Sequence, residues 1–293
     1  MNERKIGKLG IRRIVESVTA VDPLGYFPGT RDSDWAAHRA WLTETGAMHM
    51  SSGRLLLHIQ SYLIRTTHHT ILVDTCVGNH KQRPTRPQWH QRDDDRYLHA
   101  LHAHDLSVED IDYVVCTHLH ADHIGWNTRL VDGRWQPTFP KARYLFSERE
   151  LRDRQQAGEG DPGHHALQDS VLPVLEAGRA QLVNDDFELD DEVWLEPAPG
   201  HTTGHVMVRL RSNGVHAVMS GDLVHSPVQC AQPDWVTASE QDAELARRTR
   251  RAFLQSCSGT DILVLTAHFP LPSAGRLVSA GDGFRFLPDS PAW

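Results

Sequence analysis

The stretch Cys116-Thr-His-Leu-His-Ala-Asp-His-Ile-Gly-Trp-Asn127 places His118, His120, Asp122 and His123 within six positions, directly after the apolar run Tyr113-Val-Val115. A short β-branched run that ends in ionisable side chains reads as a buried strand delivering ligands at its carboxyl end. Three later segments repeat the pattern: Pro197-Ala-Pro-Gly-His201-Thr-Thr-Gly-His205, Val218-Met-Ser-Gly-Asp222-Leu-Val-His225 and Ile262-Leu-Val-Leu-Thr-Ala-His268-Phe-Pro270. Four strand ends are expected to meet on one edge.

Imidazole nitrogen and carboxylate oxygen suit zinc and other borderline divalent ions. His118, His120, Asp122, His123, His201, Asp222 and His268 together supply more ligands than one catalytic ion needs, so two ions are expected: zinc, with manganese, cobalt or iron as alternatives. Close ligands on one loop fix half of the geometry, and ligands from distant segments make binding depend on the completed fold. The assignment is His118, His120 and His201 to one ion, Asp122, His123 and His268 to the other, and Asp222 as the bridge. Two cations sharing a water lower its pKa and polarise the oxygen under attack, so the expected nucleophile is a bridging hydroxide. Asp122 and Asp222 take part in that chemistry, and His225, three residues beyond Asp222, is a candidate oxyanion donor. Trp126, Phe139, Trp235 and Phe269 flank the motifs and either line an apolar pocket or pack the core.

Composition bounds the rest. The chain has 293 residues with 39% hydrophobic content, enough for a sizeable core. Thirty basic against 38 acidic residues give a net charge of -8 without the basic stripe a nucleic acid requires. The amino terminus has no apolar stretch of signal-peptide length, and no run approaches membrane-spanning length, so no membrane partner and a cytoplasmic location are expected. Cys76, Cys116, Cys230 and Cys257 are widely spaced and read as buried free thiols.

Along the chain, residues 54–75 read as two strands joined at Thr66-Thr-His-His69, with Asp74 at the end of the second. Helices are expected near 94–104, from Ser147 onward, over 166–175 and over 241–257. Further strands are expected at 142–146, 180–183, 193–196, 205–211, 215–220 and 262–265. The pattern is α/β without a regular parallel array.

The motif Thr-His-Leu-His-Ala-Asp-His resembles the HxHxDH signature of the metallo-β-lactamase superfamily, and Gly-His201, Gly-Asp222 and Ala-His268 resemble its remaining ligand motifs in order. The stretches Ser220–Gln229 and Thr266–Pro288 are similar to the methyl parathion hydrolase and quorum-quenching lactonase branch. The resemblance implies a four-layer αββα fold with two packed mixed sheets flanked by helices. It implies a catalytic domain over 51–293, with residues 1–50 as an extension that forms an interface or covers the pocket. It places Asp74 behind the metal ligands and makes His205, the last residue of a GHTxGH motif, a local hydrogen-bonding group. It implies a homodimer that hydrolyses small esters, lactones or phosphotriesters, and the lack of a dense Arg/Lys cluster beside the metal motifs points to neutral substrates, esters and lactones first. The competing readings are a glutathione thioester hydrolase and a non-catalytic, metal-dependent binder of small ligands.

Overall fold

A computed structural model describes residues 3–289. The chain divides into two compact units, one comprising the described residues up to Ser17 with Ile59–Phe187, the other Val18–His58 with the described residues from Glu188 onward.

The first unit is organised by strands β1 (Arg4–Ile6), β2 (Leu9–Val21), β3 (Leu55–Arg65), β4 (Thr70–Val73), β5 (Tyr113–Val115), β6 (Thr128–Val131), β7 (Arg134–Pro137), β8 (Arg143–Ser147) and β9 (Ala180–Val183). β2 and β3 run across the boundary between the units. A seven-stranded sheet has the order β1-β2-β3-β4-β5-β8-β9, and β6 and β7 form a separate hairpin. The turn of that hairpin is Asp132-Gly133, both at positive φ (49° and 75°), the backbone that a two-residue hairpin loop demands. β4, β5, β8 and β9 pair in parallel. Parallel pairing puts the carboxyl ends of β4 and β5 on the same edge, where ligand-bearing loops of α/β sheets gather. Asp74 leaves the first of these ends and His118 the second.

The core behind this sheet includes Leu72, Val114, Tyr144, Phe146, Trp126 and Phe139. Sequence periodicity predicts a single helix over 166–175, but there are two, His164–Ser170 and Leu172–Glu176. Pro173 is the cause, since it has no N–H for the carbonyl of Asp169. That carbonyl instead accepts from buried Lys81 Nζ at 3.0 Å and from the Thr128 hydroxyl. Asp169 also takes a two-pronged ion pair from Arg83 at 2.7 and 2.9 Å, so the helix break is fastened to the long polar segment after β4.

The second unit is built on β10 (Val193–Pro197), β11 (Val206–Ser212), β12 (Val215–Met219), β13 (Leu263–Leu265), β14 (Ala274–Ala280) and β15 (Gly283–Pro288), in that order across one sheet. Only β12 and β13 pair in parallel, so the segments leading to Asp222 and His268 leave on the same edge. The helix Ala243–Cys257 is capped by the Asp242 carboxylate and buries Ala246, Phe253, Leu254 and Cys257 at helical spacing. Arg250 lies on the same buried stripe. Three short helices, Pro23–Tyr26, Asp32–Trp35 and Arg39–Glu44, contribute to a second cluster around Phe27, Trp35, Leu42 and Val228. All four cysteines are free and buried, as expected. No helix among the described residues is long and apolar enough to cross a membrane.

Candidate metal centre

In the first unit the ligand loop opens one residue beyond β5. His118 Nε2 lies 2.9 Å from His120 Nδ1, and His118 Nδ1 lies 3.1 Å from the Thr117 hydroxyl. His123 is held from behind: its Nδ1 is 2.8 Å from Asp74 Oδ2, while its Nε2 is 3.9 Å from Asp122 Oδ2. Asp74 also accepts from the Thr117 N–H at 2.8 Å and from its hydroxyl. One carboxylate thus sets both the start of the loop and the ring plane of His123. Asp74 adopts φ 58°, a left-handed conformation that aspartate tolerates better than most residues.

The loop is seated by main-chain contact. Gly125 N–H donates to the Cys76 carbonyl at 2.7 Å and Trp126 N–H to that of Thr75 at 2.8 Å. Buried Glu16, from β2, accepts from the N–H groups of Val77 (2.9 Å) and Gly78 (3.2 Å) and from the Trp126 indole (2.7 Å). Burial pushes the Glu16 carboxyl up, opposed by the Arg92 guanidinium 3.3 Å away. Of the aromatic residues flanking this loop, Trp126 stacks on Tyr97 with Phe139 in the same core.

In the second unit one carboxylate gathers three imidazoles. Asp222 Oδ2 is 3.2 Å from His201 Nε2 and 3.1 Å from His225 Nε2, and Oδ1 is 3.0 Å from His268 Nε2. Asp222, His225 and His268 each place a ligand atom within 4.8 Å of the others. The Asp222 backbone sits at φ -92°, ψ 23°, the sparsely populated bridge region frequent at active sites. His205 pins it there, accepting the Asp222 N–H on Nε2 at 2.9 Å while its Nδ1 lies 3.1 Å from the Ala198 carbonyl. His268 Nδ1 is 2.8 Å from the His58 carbonyl, and the His58 N–H donates back to the His268 carbonyl at 3.0 Å. A carbonyl accepts only, so Nδ1 carries the proton in both His205 and His268.

His225 is fully buried, stacked parallel to His268 at 5.5 Å and edge-on to Tyr26 at 5.7 Å. Burial pushes its imidazole down to about 4, against the upward pull of Asp222. Phe269 lies in the core, while Trp235 packs at 4.8 Å from Trp35. An apolar cavity of about 800 Å³ lies in this unit, lined in part by Trp41, Pro227, Phe269, Leu271 and Phe286.

The donor set fits divalent ions. A carboxylate that faces three Nε2 atoms, with a main-chain carbonyl fixing the Nδ1 proton of His268, is the orientation a metal-binding imidazole requires. His123 has the equivalent brace from Asp74.

Residues 55–255 match the model of the metallo-beta-lactamase superfamily. The chain belongs to the metallo-β-lactamase superfamily. It is 26% identical over 169 residues to an N-acyl homoserine lactonase of Bacillus sp, a match covering 53% of this chain and 60% of that protein. Among solved structures it is similar to AidC, described as a dizinc quorum-quenching lactonase in complex with a product, with TM-score 0.79 and 22% identity over 99% of this chain and 97% of that one. It is also similar to AbOPH, a hydrolase of the β-lactamase superfamily, with TM-score 0.81 and 20% identity over 98% and 97% of the two chains. The α/β metallo-β-lactamase fold expected from the motifs is therefore the fold of this protein.

Glu16, Arg250 and the carbonyls of His58 and Ala198 were not among the residues singled out from sequence. The carbonyls carry no sequence signal. The two charged side chains carry only a weak one, their place on otherwise apolar stripes.

Proposed function

We propose that this superfamily member is a dinuclear metal-dependent hydrolase of small neutral esters and lactones, with acyl-homoserine lactones as the first candidates and aryl phosphotriesters as a side activity. The observation that carries the reading is the buried Asp222 carboxylate, turned toward the Nε2 atoms of His201, His225 and His268. The proposed ligands are His118, His120 and His201 for one ion and Asp122, His123 and His268 for the other, with Asp222 common to both and zinc the first choice. When bound, such ions supply Lewis-acid polarisation of the scissile group and acidify water near neutral pH.

The chain's own residues supply orientation. Asp74 fixes the ring of His123, and the His58 carbonyl fixes that of His268. His205 holds the Asp222 main chain. Asp122 exchanges a proton with the leaving group. His225 donates a hydrogen bond to the developing oxyanion, and its rigid seat against His268 and Tyr26 removes reorganisation at that moment. The neutral substrate class follows from the absence of a dense basic cluster around the ligand motifs in the sequence. The lactonase similarity points the same way. The proposal includes a homodimer. It also includes residence in a reducing compartment such as the cytoplasm, which four buried free thiols suit.

The test compares kcat/KM for an acyl-homoserine lactone, an aryl ester, a neutral phosphotriester, a glutathione thioester and single-stranded RNA on zinc-, manganese- and cobalt-loaded protein. Preference for the lactone or ester is expected. Preference for the thioester or RNA overturns the substrate class, and negligible rates on all five with two ions bound favour a ligand-capture role. In the same assay His225→Ala is expected to lower kcat by roughly ten- to a thousandfold with metal content unchanged. Wild-type turnover in that variant removes His225 from the mechanism.

A further inference from the structure

Helix 243–257 touches the main chain of two ligand-bearing segments. The Thr249 hydroxyl donates to the Pro199 carbonyl at 2.7 Å, and the Asp242 N–H donates to the Gly200 carbonyl at 2.9 Å, both just before His201. Gly200 sits at φ 131°, and a Cβ there would lie 2.4 Å from the Ala246 nitrogen, so the helix and this segment meet backbone to backbone. The same helix is hydrogen-bonded to the Asp222 segment through the Arg250 side chain. Arg250 is 1% exposed in the interior of the unit. Its Nε donates to the Leu223 carbonyl at 2.7 Å, and its Nη1 donates to the carbonyls of Pro233 and Trp235, both at 2.9 Å. Its Nη2 pairs with Glu240. The Trp235 carbonyl also accepts from Gln229 Nε2 at 3.0 Å, and Gln229 Oε1 accepts the His225 N–H at 2.7 Å.

We infer that Arg250 is a positioning residue for the metal-binding half-site of this unit, a clamp that locks the Asp222–His225 segment to the helix that also holds the approach to His201. Burying a guanidinium is costly, and a merely apolar side chain would fill the stripe of this helix more cheaply. A planar, rigid fork is the one side chain that can satisfy three carbonyls and a carboxylate at once. Leu223 is the residue after Asp222, so a bond to its carbonyl, in the Leu223–Val224 peptide, fixes the chain one residue beyond the Cα that carries the carboxylate. Lysine at 250 keeps the charge but presents a single nitrogen and cannot reproduce the fork. The inference rests on the dinuclear reading above.

The test uses the full chain loaded with zinc or cobalt. Arg250→Ala and Arg250→Lys are compared with Leu210→Ala, a truncation of a buried side chain on β11. The readouts are zinc affinity by competition with a chromophoric chelator, the visible absorption of the cobalt-loaded protein, and thermal stability. Arg250→Ala is expected to weaken zinc retention by roughly ten- to a hundredfold and to change the cobalt spectrum. Leu210→Ala is expected to lower the melting temperature and leave both metal readouts unchanged. Millimolar guanidinium, but not ammonium, is expected to restore part of the affinity of Arg250→Ala. Should Arg250→Ala fail to fold, Arg250→Lys carries the test, with weaker zinc binding at near wild-type melting temperature as the expected result. Wild-type zinc affinity and cobalt spectrum in a folded Arg250 variant overturn the clamp. A wild-type protein that binds no divalent ion overturns the dinuclear reading itself, and one that binds two ions without hydrolysing any ester overturns only the hydrolase.

Discussion

Asp222→Ala is expected to remove metal and activity together. The wild-type protein should carry close to two divalent ions per chain by elemental analysis. The variant should retain one at most, and its ester or lactone hydrolysis should fall by roughly a thousandfold, the size of losing several kcal/mol of charge stabilisation. The physical reason is that a single carboxylate faces His201, His225 and His268 together, so its loss removes the one charge that all three imidazoles share. Exhaustive chelation of the wild type should give the same loss, reversible on adding zinc. Asp222→Asn separates shape from charge, since it preserves the side-chain outline and should still fail to hold both ions. A wild-type protein that saturates at one ion, with a fully active Asp222→Ala, would sink the dinuclear assignment.

The second large effect is one of folding. Gly125 follows the ligand loop, and a Cβ added there would lie 1.8 Å from the Val77 carbonyl oxygen and 1.9 Å from its carbon. Both obstacles are main chain, so no rotamer change can relieve the clash. The segments are also held in register by the Gly125 N–H bond to Cys76. Gly125→Ala is therefore expected to cost more than about 4 kcal/mol, beyond the usual range of single substitutions, or to give no soluble protein. Gly29→Ala is the control, because nothing lies within 4 Å of its Cβ position, and its effect should stay within about 0.5 kcal/mol. Urea unfolding midpoints decide the comparison. A Gly125→Ala protein with the wild-type midpoint would mean that the two segments do not pack as described.

What could be read from the sequence depended on how locally each feature is encoded. The two strands around Thr66-Thr-His-His69 and the helix ending at Cys257 announce themselves through apolar periodicity and capping. β2 does not, because Glu16 and Thr19 are buried on it and break the alternation that marks a half-buried strand. The four-residue helices near the amino terminus are too short to show a period at all. The proposed ligand motifs stand out in the sequence because their residues are chemically conspicuous. Of the side chains around them, Asp74 and His205 were named through the family resemblance, whereas Glu16 and Arg250 were not. Arg250 stands in the run Arg247-Arg-Thr-Arg-Arg251, which reads as a solvated face until the fold shows which arginine turns inward.

The imidazoles of this protein are held from behind in two ways, and the difference bears on how the chain can drift over generations. His268 and His205 lean on the carbonyls of His58 and Ala198, and every amino acid brings a carbonyl. At position 198 the brace does not depend on the side chain, and only the room in the surrounding core limits which residue can stand there. Proline alone would cut the backbone pairing at positions 58 and 198, since its missing N–H would forfeit the return bonds to the His268 and His205 carbonyls. His123 depends instead on the carboxylate of Asp74, which a single-base change can delete. The two units thus expose the same kind of chemistry to inheritance unequally, one through a brace that is almost mutation-proof and the other through a brace that selection must guard in every copy.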